Sequence, residues 1–134
     1  MINLNDMFNL TQENLKELFF HEVYDYFLES NIKFNHDIQI RGISGYEHKF
    51  DFAIGVSKQS QERLIRLVTN PKHKQVAENI LFSFVDLEKS HRKFKGIVIY
   101  KGEASEIFLT AFKEYSYDAF SWEEKDQIVE ILRE

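Results

Sequence analysis

The sequence has no cysteine, and its 134 residues include one proline and five glycines. Without cysteine the chain forms neither disulfide bonds nor thiolate metal sites, which fits a reducing compartment. No apolar run approaches the roughly 20 residues of a membrane-spanning helix. The opening residues MINLNDMFNL lack the basic and apolar regions of a signal peptide. These absences predict a cytoplasmic protein that does not engage a membrane.

An excess of positive charge is also missing, since the formal net charge is −5. Broad nonspecific binding to nucleic acid normally relies on a basic surface, so the composition argues against it and leaves only a local basic patch open. Aromatic residues are abundant: 13 are phenylalanine. They predict a core of large rings. The residues expected in the core are Phe50, Phe52, Ile65, Leu67, Ile97 and Ile99. The chain length fits one domain over residues 1–134.

Apolar periodicity predicts four helices and five strands. Residues 1–10 are weakly patterned and are interpreted as an irregular arm. Thr11 then caps a first helix that ends near Ser30-Asn31, since asparagine tolerates the left-handed conformation that follows a helix. Strand-like runs follow at 37–43, 48–56 and 63–69, and a second helix opens at Asn70-Pro71. The later elements are a buried strand at 96–100, a helix at 103–115, a short edge strand at 117–120 and a last helix opened by a capping box at Ser121.

Strand alternation orients the side chains of the second strand. It places Phe50 and Phe52 on one face and Asp51 on the other, with Lys49 and Ala53. A helix between the third and fourth strands implies a parallel crossover. The predicted fold class is therefore α/β, a mixed β-sheet with helices on both faces.

This element order, with an aspartate in the second strand, resembles the αβββαβ core of the PD-(D/E)XK nuclease-like superfamily, followed here by C-terminal helices. In active members an aspartate at this place and an acid-x-Lys motif on the next strand bind a divalent metal near the scissile phosphate, and a glutamate on the first helix sometimes helps. The resemblance implies that Asp51 is the metal-binding acid and that Glu22 is the helix acid.

The third strand departs from that pattern. One alignment places Leu64 at the acid and Arg66 at the lysine, whereas the other keeps the acid as Glu62 and loses the lysine. One element is missing either way, so Asp51, Glu62, Arg66 and Glu22 are interpreted as remnants of a catalytic site. We expect no cofactor, or Mg²⁺ if the chain is an active nuclease.

A second resemblance covers most of the chain. The strings SGYEHKFDFAI, RLIRLVTNP and AFSWEE resemble an uncharacterised bacterial and phage domain of unknown function. In longer relatives this domain forms the C-terminal half. The resemblance implies a bacterial or mobile-element origin and no established activity.

Two features have a functional and a structural interpretation. Asp51 is either a metal ligand or the acid of a salt bridge, to Arg66 across the sheet or to Lys49. The basic run 90–95 either contacts phosphates through Arg92, Lys93 and Lys95 or is a solvated loop before a strand. The sequence favours the structural interpretation of both.

We therefore expect a nuclease-like domain with a degenerate site that acts as a binding or regulatory module for a protein or nucleic-acid partner, and not as an enzyme. One alternative is a metal-dependent nuclease. Another is a small acidic inhibitor of a nucleic-acid-binding host factor, for which the helices supply the carboxylates of Glu13, Glu17, Glu123, Glu124, Asp126 and Glu130.

Overall fold

The computed structural model describes residues 11–134, so the predicted arm at 1–10 lies outside the described residues. The strands are β1 (Asn35–Arg41), β2 (Glu47–Ile54), β3 (Glu62–Val68), β4 (Phe94–Tyr100) and β5 (Asp118–Ser121). The helices are α1 (Gln12–Glu29), α2 (Lys74–Lys89), α3 (Glu106–Glu114) and α4 (Lys125–Leu132), with a 3₁₀ turn at Trp122–Glu124 before α4.

The five strands form one mixed sheet in the order β1-β2-β3-β4-β5. The pairs β1–β2 and β2–β3 are antiparallel, and the pairs β3–β4 and β4–β5 are parallel. Helices α2 and α3 connect the parallel strands, as crossover connections require. The predicted α/β class with a mixed sheet is confirmed, and the strand at 96–100 lies inside the sheet as expected.

A separate apolar core lies on each face of the sheet. Phe27 of α1 and Ile128 of α4 belong to one core, and Phe84 of α2 and Phe108 of α3 belong to the other. Helices therefore cover both faces. The predicted core residues are all buried: Phe50, Phe52, Ile65, Leu67, Ile97 and Ile99.

Local capping explains where α1 begins and ends. The Thr11 hydroxyl accepts a hydrogen bond from the Asn14 N–H at 3.2 Å, and Asn31 follows α1 with a φ of 60°.

Two predicted helix starts are wrong. Helix α2 begins at Lys74, after a turn that contains Pro71, because proline fits that turn as well as a first helical turn. The Ser121 hydroxyl caps the 3₁₀ turn, not α4.

The predicted shared face of Phe50 and Phe52 is also wrong. Phe52 stacks on Phe20 of α1 with ring centroids 5.0 Å apart, whereas Phe50 stacks on Phe84 of α2 at 5.9 Å. Residues i and i+2 of a regular strand share a face. In β2 the alternation of side chains shifts by one residue at Asp51, so that the strand reverses its facing there, and Lys49 and Ala53 do not share a face either. Strand β1 has the same reversal at Asp37, the residue opposite Asp51, where φ is 51°.

Candidate functional site

The strands β2 and β3 separate at the position where β2 reverses its facing. Their backbone pairing includes Phe52 with Ile65 but does not continue to Asp51 and Arg66, the next positions in the same register. Two side chains bridge the opening instead. An Asp51 carboxylate oxygen accepts from the Leu67 N–H at 2.7 Å, and Arg66 Nη1 donates to the Lys49 carbonyl at 2.9 Å.

A cleft of about 1060 Å³ lies at this fork. It is lined by the N-terminal half of α1, the first turns of α2, and residues of β1, β2 and the C-terminal end of β3. The charged and polar side chains that line it are Lys16, Glu17, His21, Asp37, Gln39, Lys49, Asp51, Arg66, Thr69, Asn70 and Asn79.

Charges within the cleft are balanced and close together. The Asp51 side chain is 13% exposed, and Lys16 Nζ lies 3.8 Å from its Oδ1. Burial lowers the pKa of Arg66, and the neighbouring Asp51 opposes that shift. The guanidinium stays cationic, because arginine is not deprotonated in proteins. Within residues 11–134 no ion pair shorter than 4 Å joins Asp51 to Arg66, so the predicted cross-strand salt bridge is replaced by the two side chain–backbone bonds.

This arrangement can hold an anion. Arg66 has five N–H donors in a planar fork, which matches a phosphate or carboxylate, and it shares the cleft with Lys16 and Lys49. A divalent metal ion finds fewer suitable side chains here than an anion does. Among the described residues, no three His, Asp or Glu side chains come together as a metal-binding group.

The other remnant residues lie away from the cleft. Glu22 binds Lys101 Nζ at 2.5 Å. Partial burial alone would raise the pKa of Glu22, but Lys101, with Trp122 and Lys125, outweighs burial and lowers that pKa. Glu62 lies at the opposite end of β3, where Arg92 binds both its carboxylate oxygens at 2.8 and 3.0 Å. Leu64 is fully buried. Neither alignment of the acid-x-Lys motif therefore brings a second acid to Asp51.

The predicted basic run lies at the end of the sheet opposite the cleft, because β3 and β4 are parallel and the run precedes β4. Two of its cations are engaged within the chain: Arg92 with Glu62, and Lys95 with the Ser116 carbonyl at 2.9 Å and Asp118 at 3.6 Å. Lys93 is exposed.

The carboxylates of the acidic-inhibitor alternative do not all face solvent freely. Glu17 lines the cleft. Asp126 accepts a hydrogen bond from the Tyr26 hydroxyl at 2.5 Å, and Lys125 covers the Tyr26 ring at 4.9 Å. The Glu13 side chain lies outside the described part of the chain.

A buried polar cluster at the β1–β2 turn was missed by the sequence interpretation. Asp86 of α2 binds His48 Nε2 at 2.7 Å, the Ser44 hydroxyl at 2.7 Å and the Ser44 N–H at 3.0 Å. The hydrogen bond from His48 lowers the pKa of Asp86 against the opposing effect of burial, and Ser44 adds to the lowering. Because serine and histidine both bind the aspartate, the cluster is not a nucleophile-activating relay, in which histidine binds serine; it holds the turn against α2.

The cleft residues of α1 were missed as well. Lys16, Glu17 and His21 occupy polar positions off the apolar stripe of the helix. Such positions are also typical of any solvent-facing helix surface. No signal in the sequence distinguished them from ordinary surface residues.

Comparisons with known proteins give a family but no activity. The model of the family described as "Domain of unknown function DUF1829" matches residues 42–125, well over half of the chain. The chain is similar to a solved structure titled "Crystal Structure of Protein of Unknown Function AF1548", with a TM-score of 0.58 and 17% identity, over 77% of this chain and 56% of that one. It therefore spans little more than half the length of that protein, and the likeness concerns the fold alone. No curated protein matches.

No helix between residues 11 and 134 is both long enough and apolar enough to cross a bilayer.

Proposed function

The chain belongs to the DUF1829 family, and we propose that it is a nuclease-like domain with a degenerate site, which acts as a binding module for a nucleic-acid partner. The observation that supports this proposal is the engagement of Asp51. One of its oxygens accepts the Leu67 N–H at 2.7 Å, and the other lies 3.8 Å from Lys16. The acid that would hold a metal in the nuclease pattern is thus already bound within the chain.

The replacement of the motif lysine by Arg66 supports a binding role. The guanidinium lies where the nuclease pattern places a lysine, and it lines the same cleft as Lys16 and Lys49. Arginine binds phosphate through two parallel N–H donors, which a lysine cannot do. Since the net charge of the chain is −5, we expect phosphate contacts to be confined to this cleft.

Fluorescence anisotropy with labelled single- and double-stranded oligonucleotides tests the proposal. Arg66→Met should weaken binding at least tenfold, because it removes the bidentate phosphate contact. Lys93→Met, in the basic run at the other end of the sheet, is the matched control and should change binding less than about twofold. With two or three phosphate contacts, the slope of log K against log salt should lie between about −1.4 and about −2 for single strands.

Two outcomes would contradict this assignment. A loss of binding in Lys93→Met but not in Arg66→Met would move the interface to the basic run. No binding of either oligonucleotide by the wild type at 50 mM salt would reject nucleic acid as the partner and leave a carboxylate-bearing protein as the anion that Arg66 binds.

The second candidate function is a metal-dependent nuclease. The observation that favours it is that Glu17 and Asp51 line the same cleft, since Mg²⁺ takes as few as one or two protein carboxylates. Calorimetric titration with Mg²⁺ and Mn²⁺ and a plasmid-cleavage assay test it. We expect neither binding heat nor cleavage. Metal-dependent cleavage by the wild type that is lost in Asp51→Asn would establish the nuclease instead.

A further inference from the structure

The outer edge of β1 offers a surface for another strand. Within residues 11–134, β1 pairs with β2 on one side only and forms one edge of the sheet. Unpaired N–H and C=O groups along a sheet edge are a template for a further strand, and proteins commonly guard such edges with lysine, proline or a bulge. The reversal at Asp37 interrupts β1, NHDIQIR, and limits its regular edge to Ile38–Arg41. This remaining segment contains neither lysine nor proline.

The sequence of this edge is complementary to itself. In an antiparallel pairing of two copies centred on Gln39, Ile38 of each copy faces Ile40 of the other, and Asp37 faces Arg41. Asp37 lies just before the regular edge, so an acidic and a basic residue come close to each other at both ends of the paired segment, and the two Gln39 amides meet in the middle. Such a pairing has the two-fold symmetry that homodimers favour.

Burial of the side chains agrees with this pairing. Ile38 and Ile40 are half-buried against the core under α2, so two copies would bring four isoleucines together on that face. Phe82 borders this cluster: it is 50% exposed, and its ring lies 5.4 Å from His48, which pairs with Ile40. Asp37 and Arg41 are exposed.

We propose that this edge is a homodimer interface, in which β1 of one copy pairs antiparallel with β1 of a second copy to form a continuous ten-strand sheet. Asp37 and Gln39 also line the cleft, so the second copy would lie along the rim of the cleft and complete that wall. The proposal is independent of the ligand of the cleft.

Charge exchange tests the pairing directly. In Asp37→Lys, position 37 is cationic and faces Arg41 of the other copy; in Arg41→Asp, both facing positions are acidic. Each variant alone should dimerise about tenfold or more weakly than the wild type, measured by sedimentation equilibrium. An equimolar mixture of the two variants pairs Lys with Asp and Arg with Asp, so it should recover a heterodimer of near wild-type affinity.

Thermal melts of both variants establish that they fold, and Lys113→Asp on α3, near the opposite sheet edge, is the matched control that should not change dimerisation. A wild type that remains monomeric at about 100 μM overturns the proposal, because even a weak specific dimer is populated at that protein concentration. A wild-type dimer that both single variants retain, or a mixture that fails to recover association, overturns it equally.

Discussion

The Asp51 carboxylate accepts a hydrogen bond from the backbone N–H of Leu67 at 2.7 Å. A side chain of β2 thus provides the acceptor that a backbone carbonyl provides in a regular strand pair. The bond exists because β2 reverses its facing at Asp51, between Phe50 and Phe52, and stops pairing with β3. The cleft lies at the same place, since Asp51 and Leu67 both line it. Asp51 therefore has a structural role whatever the cleft binds.

Truncation of Asp51 should destabilise the fold more than neutralisation does. Asp51→Ala leaves the Leu67 N–H without its acceptor, which should lower the free energy of unfolding by about 1–3 kcal/mol. Asp51→Asn keeps an acceptor oxygen and should lose less. Urea unfolding in EDTA measures both values. Equal stabilities of the two variants would show that the hydrogen bond does not support the fork, and a Mn²⁺-induced rise for the wild type alone would indicate a metal site.

Gly42 should not tolerate a side chain, because an alanine Cβ there would lie 1.9 Å from Asp86 Oδ2. Gly42→Ala should therefore lower the free energy of unfolding by about 1–3 kcal/mol, as overpacking does. Gly55→Ala is the matched control, since nothing lies within 4 Å of its Cβ. It should be neutral or slightly stabilising. Thermal melts compare the two, and similar losses would indicate that the turn is not packed against α2.

Asp86 should make stability depend on acid pH. Its pKa is lowered in the fold by the hydrogen bond from His48. The group therefore contributes stability above its unfolded pKa of 3.8, and this contribution is lost as the pH falls through the lower folded value. Urea midpoints between pH 6 and about 2 should fall more steeply for the wild type than for Asp86→Asn.

Ser44→Ala serves as the companion of that experiment. It removes one hydroxyl donor to Asp86 and leaves His48 in place. The fall of its urea midpoint with pH should therefore be less steep than in the wild type and steeper than in Asp86→Asn. Parallel profiles for the wild type and Asp86→Asn would contradict the predicted acid dependence.

Ile97 tests the position of β4. It is 1% exposed, and Ile97→Ala should lower the free energy of unfolding by about 2–5 kcal/mol through lost burial and a residual cavity. Ile107→Ala on α3 makes the same chemical change at an exposed site and should stay within about 0.5 kcal/mol. Chemical denaturation of both variants checks the contrast, which would vanish if Ile97 were at a sheet edge.

The sequence by itself determined the elements, their order and the two-faced sheet. Alternation in β3 placed Leu64 and Ile65 on opposite faces, and both are buried there. The run GIVIY indicated an interior strand, since a strand covered on both faces is apolar throughout. Thr11 and Asn31 marked the ends of α1. These signals are local, because each depends on side chains a few residues apart.

Only the tertiary structure decided the site. Alternation assigned Phe50 and Phe52 to one face, whereas the reversal at Asp51 depends on a facing residue of another strand, Asp37, and on rings from two helices. The partners of Asp51 and Asp86 lie 16 and 42 residues away at Leu67 and Ser44. A carboxylate binds whichever donor the fold brings within reach, and periodicity along the chain carries no information about that distance.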